Sequence, residues 1–143
     1  MAITQGMATS FKVQLLNGAQ NFSSNTFKLA LYTSSATLGE GTTAYTTSGE
    51  VASTGNYTAG GNTLTVNVTP TSSGNVAYVS FANTSWANAT ITANGALIYN
   101  NTNSNSAVAI LAFGGDKTST NGTFAVNFPT ADASSAIIRL TAS

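Results

Sequence analysis

Few residues in this 143-residue chain could do chemistry, and the most suggestive stretch is Ala112–Ser119, AFGGDKTS. Glycines followed by a lysine and hydroxyl residues suggest a loop that cradles phosphate. Such a loop needs Gly, four residues, then Gly-Lys-Ser/Thr, set between a strand and a helix. Here Asp116 separates glycine from lysine, the first glycine is missing, and the strand-like GTFAVNF follows. Without a helix N-terminus, neither backbone amides nor a helix dipole would hold the anion. The stretch is expected to be a strand-to-strand turn, with Gly114 and Gly115 supplying positive φ. Asp116 and Lys117 would then form an exposed pair able to orient a contact with a partner.

Carboxylates are the next candidates. The four acids, Glu40, Glu50, Asp116 and Asp132, each stand alone in sequence within expected loops. Glycoside hydrolysis needs two carboxyls roughly 5–10 Å apart across a cleft, and only a meeting of Glu40 and Glu50 in space would supply them. The chain has no Cys and no His. That removes disulfides, thiol nucleophiles, the commonest zinc ligands and the usual general base at neutral pH. No enzyme, metal site or cofactor is expected. Aromatic rings offer binding instead of catalysis. Tyr45, Tyr57, Trp86 and Tyr99 lie in polar or turn-flanked surroundings, where rings anchor protein interfaces or stack on sugars. The alternative is that they pack, with Trp86 closing one end of the core. Thr63-Leu64-Thr65 and Thr90-Ile91-Thr92 place hydroxyls on one strand face, as composition alone would produce.

Composition limits the partners. Charged residues are 6% of the chain, four basic and four acidic, for zero net charge. Four scattered cations supply neither a groove for nucleic acid nor a patch for an anionic membrane. Ser, Thr and Asn make up about two residues in five and must provide the polar surface. Absence of net charge also removes the repulsion that keeps proteins apart, so an assembly is expected. The start, MAITQGMATSF, has no basic segment followed by an apolar core, so no secretory leader is expected. No apolar run is long enough to span a bilayer.

The elements that must position these residues are mostly strands. Only MATSFKVQLLNG reads as helix, with Ala8, Phe11, Leu15 and Leu16 on one face, Thr9 or Ser10 as cap and Gly18 as stop. Residues 1–18 are expected to be an arm with a short helix. It either covers the core or docks on a partner through residues such as Met7 and Phe11. TFKLALY alternates with period two. A long Gly- and Thr-rich segment from Ser34 to Gly61 then reads as a functional or packing loop. NTLTVNVT and NVAYVSFA flank a turn at Pro70–Gly74 and form a hairpin. ATITANGALIYN reads as one strand with a bulge at Asn94-Gly95. SAVAILAF, GTFAVNF and AIIRLT complete the set. Seven or eight strands with turns every 8–12 residues predict a single-domain, all-β antiparallel sandwich over residues 19–143, jelly-roll-like, with the short N-terminal helix.

The stretches MATSFKVQLLNGAQNF, FKLALYTSSATLGEGTTAYTTSGEV, YTAGGNTLTV, SWANATITANGALIYN and AVAILAFGGDKTSTNGTFAVNFP cover most of the chain in order. In them the chain resembles small virion structural proteins of tailed bacteriophages. Members often carry Arg at the position of Asn94 and an acidic residue at that of Ala112, so one charged contact differs here. The resemblance implies a virion protein made in the host bacterial cytoplasm. A capsid decoration, or cement, protein on the capsid exterior is expected, a homotrimer clamping neighbouring subunits of the major capsid protein. The alternative is a tail or tail-fibre module recognising host surface glycan. The candidate interface residues are Met7, Phe11, Tyr45, Tyr57, Trp86, Tyr99, Asp116 and Lys117.

Overall fold

The computed structural model describes residues 2–141. Its elements run β1 (Gly6–Met7), α1 (Thr9–Leu16), β2 (Phe27–Tyr32), β3 (Asn62–Thr63), β4 (Val66–Ser73), β5 (Val76–Phe81), β6 (Thr84–Asn100), β7 (Ser106–Val126) and β8 (Ile138–Leu140). Among the described residues these strands form two antiparallel sheets, ordered β1-β7-β6-β2-β3 and β4-β5-β8. The protein is an all-β sandwich with one short helix. It is built on two hairpins, β4–β5 and β6–β7, which supports the sandwich without specifying jelly-roll connectivity.

Cross-strand partners share a face of a sheet. Leu29 pairs with Ile98 and Leu31 with Ala96 on one face; Lys28 pairs with Tyr99, Ala30 with Leu97 and Tyr32 with Gly95 on the other. On the first face, Phe27 stacks on Phe22 at 4.6 Å and meets Phe81 of β5 at 5.8 Å, so the second sheet packs here. Phe11 from α1 closes the cluster edge-on to Phe22 at 6.0 Å. The alternation in FKLALY places Ala30 and Tyr32 outside, yet both are fully buried. The long loop lies along β2: Thr33 N donates to Gly49 O at 2.8 Å and Val51 N to Leu31 O at 2.9 Å. A sheet face covered by a loop has no solvent side, and its polar-looking positions become core.

The N-terminal segment is stitched into the sandwich instead of standing off as an arm. β1 pairs with β7 at Ala109 and Ile110, Thr4 N donates to Leu38 O, and Ala8 N donates to Val108 O, each at 2.9 Å. The helix begins after Ala8, with no side-chain cap from Thr9 or Ser10. Leu16 points away from the core, because the register that buries Ala8 and Phe11 turns it outward. Pro70 lies inside β4 and not in a turn; the turn is Gly74-Asn75. Proline is tolerated there because β4 is the outer strand of its sheet and a register shift falls between Val68 and Thr71.

AFGGDKTS is not a turn between two strands. β7 runs through it without a break. Gly95 pairs with Ala112 and Ala93 with Lys117, so Phe113–Asp116 all lie opposite the single residue Asn94. This is a large irregular bulge, and Gly114 and Gly115 take φ of 77° and 152° within it. Asn94 Nδ2 donates to Asp116 Oδ1 at 3.0 Å across the bulge. Phe124 follows Phe113 by eleven residues, a span of roughly 35 Å in a straight strand. Their rings are nevertheless 6.4 Å apart. The β6–β7 hairpin therefore curls strongly between these two positions, where the bulge at Phe113–Asp116 and the register shifts near Asn121 fall.

Candidate functional site

Two features emerge: a carboxylate among tyrosines beneath the long loop, and an apolar groove beside the bent hairpin.

Glu50 begins the return of the loop along β2, where it bridges to Tyr32. Its Oε2 accepts from the Tyr45 hydroxyl at 2.6 Å. Its Oε1 accepts from the Tyr57 hydroxyl at 2.8 Å and from Gly60 N at 2.6 Å. The Tyr57 oxygen in turn accepts from Leu31 N at 2.9 Å, on β2. The Tyr99 hydroxyl donates to Gly60 O at 2.7 Å and that of Tyr32 to Thr46 O at 2.6 Å. Tyr45 stacks on Tyr99 at 4.8 Å, and Tyr57 leans on Trp86 at 5.6 Å. One carboxylate thus ties three points of the loop to β2 and β6. With both oxygens occupied, it acts as a structural acceptor, and the phenols act as neutral donors.

Burial pushes all four phenols up, and the negative charge of Glu50 adds to the shift; Tyr99 reaches about 12. A phenol whose folded pKa exceeds the unfolded value of about 10 stabilises the fold in its protonated state. That stability is intact below pH about 10 and is lost as pH rises through the folded value. Ultraviolet titration of tyrosinate should therefore show these phenols ionising only at or beyond pH about 12, together with loss of β circular dichroism. Ionisation of all the phenols at pH about 10, with the sheet signal intact, would contradict the clasp.

The groove encloses about 550 Å³ and is lined by Leu111, Phe113, Phe124, Phe128 and Ile137, with Lys117 at its polar side. It lies along β7 because the bend brings the strand's two halves around one space.

The candidate interface residues divide sharply. Phe11, Tyr57, Trp86 and Tyr99 are 0%, 2%, 6% and 2% exposed and present almost no surface. Tyr45 and Met7 are half-buried, while Asp116 and Lys117 are exposed. Tyr45, Tyr57 and Tyr99 converge, but on Glu50 and not on solvent. Glu40 does not join Glu50: it lies 3.9 Å from Lys12 beside α1. Tyr32, the role of Glu50 and the groove residues other than Lys117 were not singled out by sequence. A glutamate flanked by Tyr45 and Tyr57, in a loop whose one other charged residue is Glu40, was the available signal. No helix among the described residues is long and apolar enough to cross a membrane. In comparisons with protein families, curated proteins and solved structures, no family model, curated protein or solved structure matches this chain.

Proposed function

We propose that the chain is a structural protein of a bacteriophage virion, a capsid decoration protein that clamps neighbouring subunits of the major capsid protein. The observation that carries this reading is where the resembling stretches lie. SWANATITANGALIYN and AVAILAFGGDKTSTNGTFAVNFP hold β6 and β7, which pair with each other over their length. FKLALY is β2, which pairs with β6. The likeness thus covers one paired framework, β2, β6 and β7, together with the long loop that lies along β2. The clasp supports the reading too, since a loop tied at Glu50 keeps its shape on binding and little ordering entropy is lost.

A clamp bound across a capsid seam stabilises the closed lattice, because its binding energy is lost if the seam opens. Many identical sites engaged on one shell add through avidity. The alternative, recognition of host glycan by a tail module, requires exposed rings for stacking, and Tyr57, Trp86 and Tyr99 are turned inward.

An electron-microscopy map of the virion tests the proposal. The expected result is density for this sandwich on the capsid exterior, over subunit seams, at a copy number comparable to that of the capsid protein. A few copies at the tail would overturn it.

A further inference from the structure

We infer that Tyr45 and Tyr99 form an oxidative cross-linking site: one-electron oxidation, with Glu50 taking the phenolic proton, joins the long loop to β6 through a carbon–carbon bond between the two rings. The inference stands apart from the capsid reading, since it needs neither a partner nor a location.

Three contacts hold Tyr45 in place. Its backbone N donates to Asn105 O at 2.9 Å, and two residues earlier Thr43 O accepts from Ala107 N at 2.9 Å. Its hydroxyl donates to Glu50 Oε2 at 2.6 Å. Its ring stacks on that of Tyr99, with centroids 4.8 Å apart and planes 26° from parallel. Tyr99 is fixed as well. It pairs with Lys28 of β2 and Ala107 of β7, and its hydroxyl donates to Gly60 O at 2.7 Å. Tyr99 is buried, whereas Tyr45 is only half-buried, so an oxidant reaches the pair through Tyr45.

The carboxylate makes the electron easier to remove. A phenol that loses an electron becomes a strong acid, so its oxidation is costly unless the proton leaves too. Glu50 already accepts from the Tyr45 hydroxyl, at the distance required of a proton acceptor. The other tyrosines lack one half of this arrangement. Tyr57 shares the carboxylate at 2.8 Å, but it is buried and its ring leans on Trp86. Tyr32 donates to a backbone carbonyl, a poor proton acceptor. Tyr78 belongs to the other sheet.

In the first step the oxidant takes one electron from Tyr45 and Glu50 takes the hydroxyl proton, which leaves a neutral phenoxyl radical. Its spin is shared with the ring carbons next to the oxygen-bearing carbon. One of these bonds to the matching carbon of Tyr99. A second oxidant equivalent removes the unpaired electron now on the Tyr99 ring, and the hydrogen on the bonded carbon leaves as a proton. On the Tyr45 ring the corresponding hydrogen moves to oxygen and restores the phenol. One carbon–carbon bond forms, and two electrons and two protons leave. The Tyr99 hydroxyl keeps its bond to Gly60 O throughout. The chain has no Cys, so no disulfide can tie the loop to the sheet; this bond does so.

Photo-excited ruthenium(II) tris-bipyridyl with persulfate, applied to the dilute full chain, tests the inference. Persulfate accepts both electrons and ends as two sulfate ions. Cleavage of the unfolded product after the chain's two glutamates, Glu40 and Glu50, isolates residues 41–50, whose one tyrosine is Tyr45. In material from single chains, that fragment should stay joined to residues 51–143, lighter than the sum by two hydrogens and with dityrosine fluorescence. The native chain should give at least about tenfold more of this product than the chain unfolded in urea, because the fold holds the rings together. That comparison needs no variant. Tyr99→Phe should lose the product. Glu50→Gln should form it more slowly, while Tyr57→Phe, which breaks the other hydroxyl bond to Glu50, should form it at the wild-type rate. Equal yields from native and unfolded chain overturn the inference. So does a product that persists in Tyr99→Phe, or a rate unchanged in Glu50→Gln.

Discussion

Replacing Glu50 by alanine should destabilise the protein by about 3 kcal/mol and lower its melting temperature by roughly 10 °C. The change strands three donors at once: the hydroxyls of Tyr45 and Tyr57 and the amide of Gly60. Each hydrogen bond to a charged acceptor is worth about 1.5–3 kcal/mol where water is excluded. Glu50 is half-buried and Tyr45 partly reaches solvent, which can replace some of the lost bonding, so the sum is discounted. Glu50→Gln should cost less. It keeps one carbonyl acceptor but turns an amide donor toward one of the hydroxyls. Tyr57→Phe combined with Glu50→Ala should cost less than the two separately, since both remove the same bond. Chemical denaturation of the four proteins measures this. An alanine variant within about 0.5 kcal/mol of wild type would show that the loop is held by its other contacts.

Gly61→Ala should be more damaging still, costing more than about 4 kcal/mol and leaving little folded protein. Gly61 has φ 74°, a region costly for any residue with a Cβ. An added methyl would also overlap the Leu29 carbonyl oxygen and stand 2.8 Å from Ala30 Cα. Both contacts are backbone of the central strand β2, which cannot move aside without breaking its pairing to β6. Gly41→Ala is the control, because a methyl there meets nothing within 4 Å. It should melt with the wild type. Soluble yield and thermal unfolding compare the two. A Gly61 variant that melts within a few degrees of wild type would mean that the loop does not press on β2.

Both predictions concern the loop, and the loop is where sequence reading reached least far. Its length and Gly-Thr composition mark it as special, and its tyrosines stand out. Their destination does not. An exposed anchor and a buried donor use the same residue type; a partner thirty or forty residues away decides between them. Tyr99 donates to Gly60, thirty-nine positions distant. Trp86 shows the same ambiguity, resolved by Tyr57 and Phe124 packing on its ring. Strand segments were more legible. The bulge expected at Asn94 is real, but its extra residues come from the opposite strand, Phe113–Asp116.

By itself, the sequence determined the class of fold and the inventory of side chains open to chemistry. Period-two alternation and closely spaced turns specify strands, because each depends on neighbouring residues alone. The lack of Cys, His and net charge removes whole categories of mechanism by inventory. Tertiary structure decided the rest. It joined AFGGDKTS and GTFAVNF into one strongly curled strand, turned the tyrosines onto Glu50, and left Leu16 and the β7 groove open. The physical reason is that alternation is a local, one-dimensional signal, whereas strand bending and burial are set by pairings between residues far apart in the chain. A glycine pair reads alike as a turn or as a bulge; only the strand across from it, with one residue opposite four, distinguishes them.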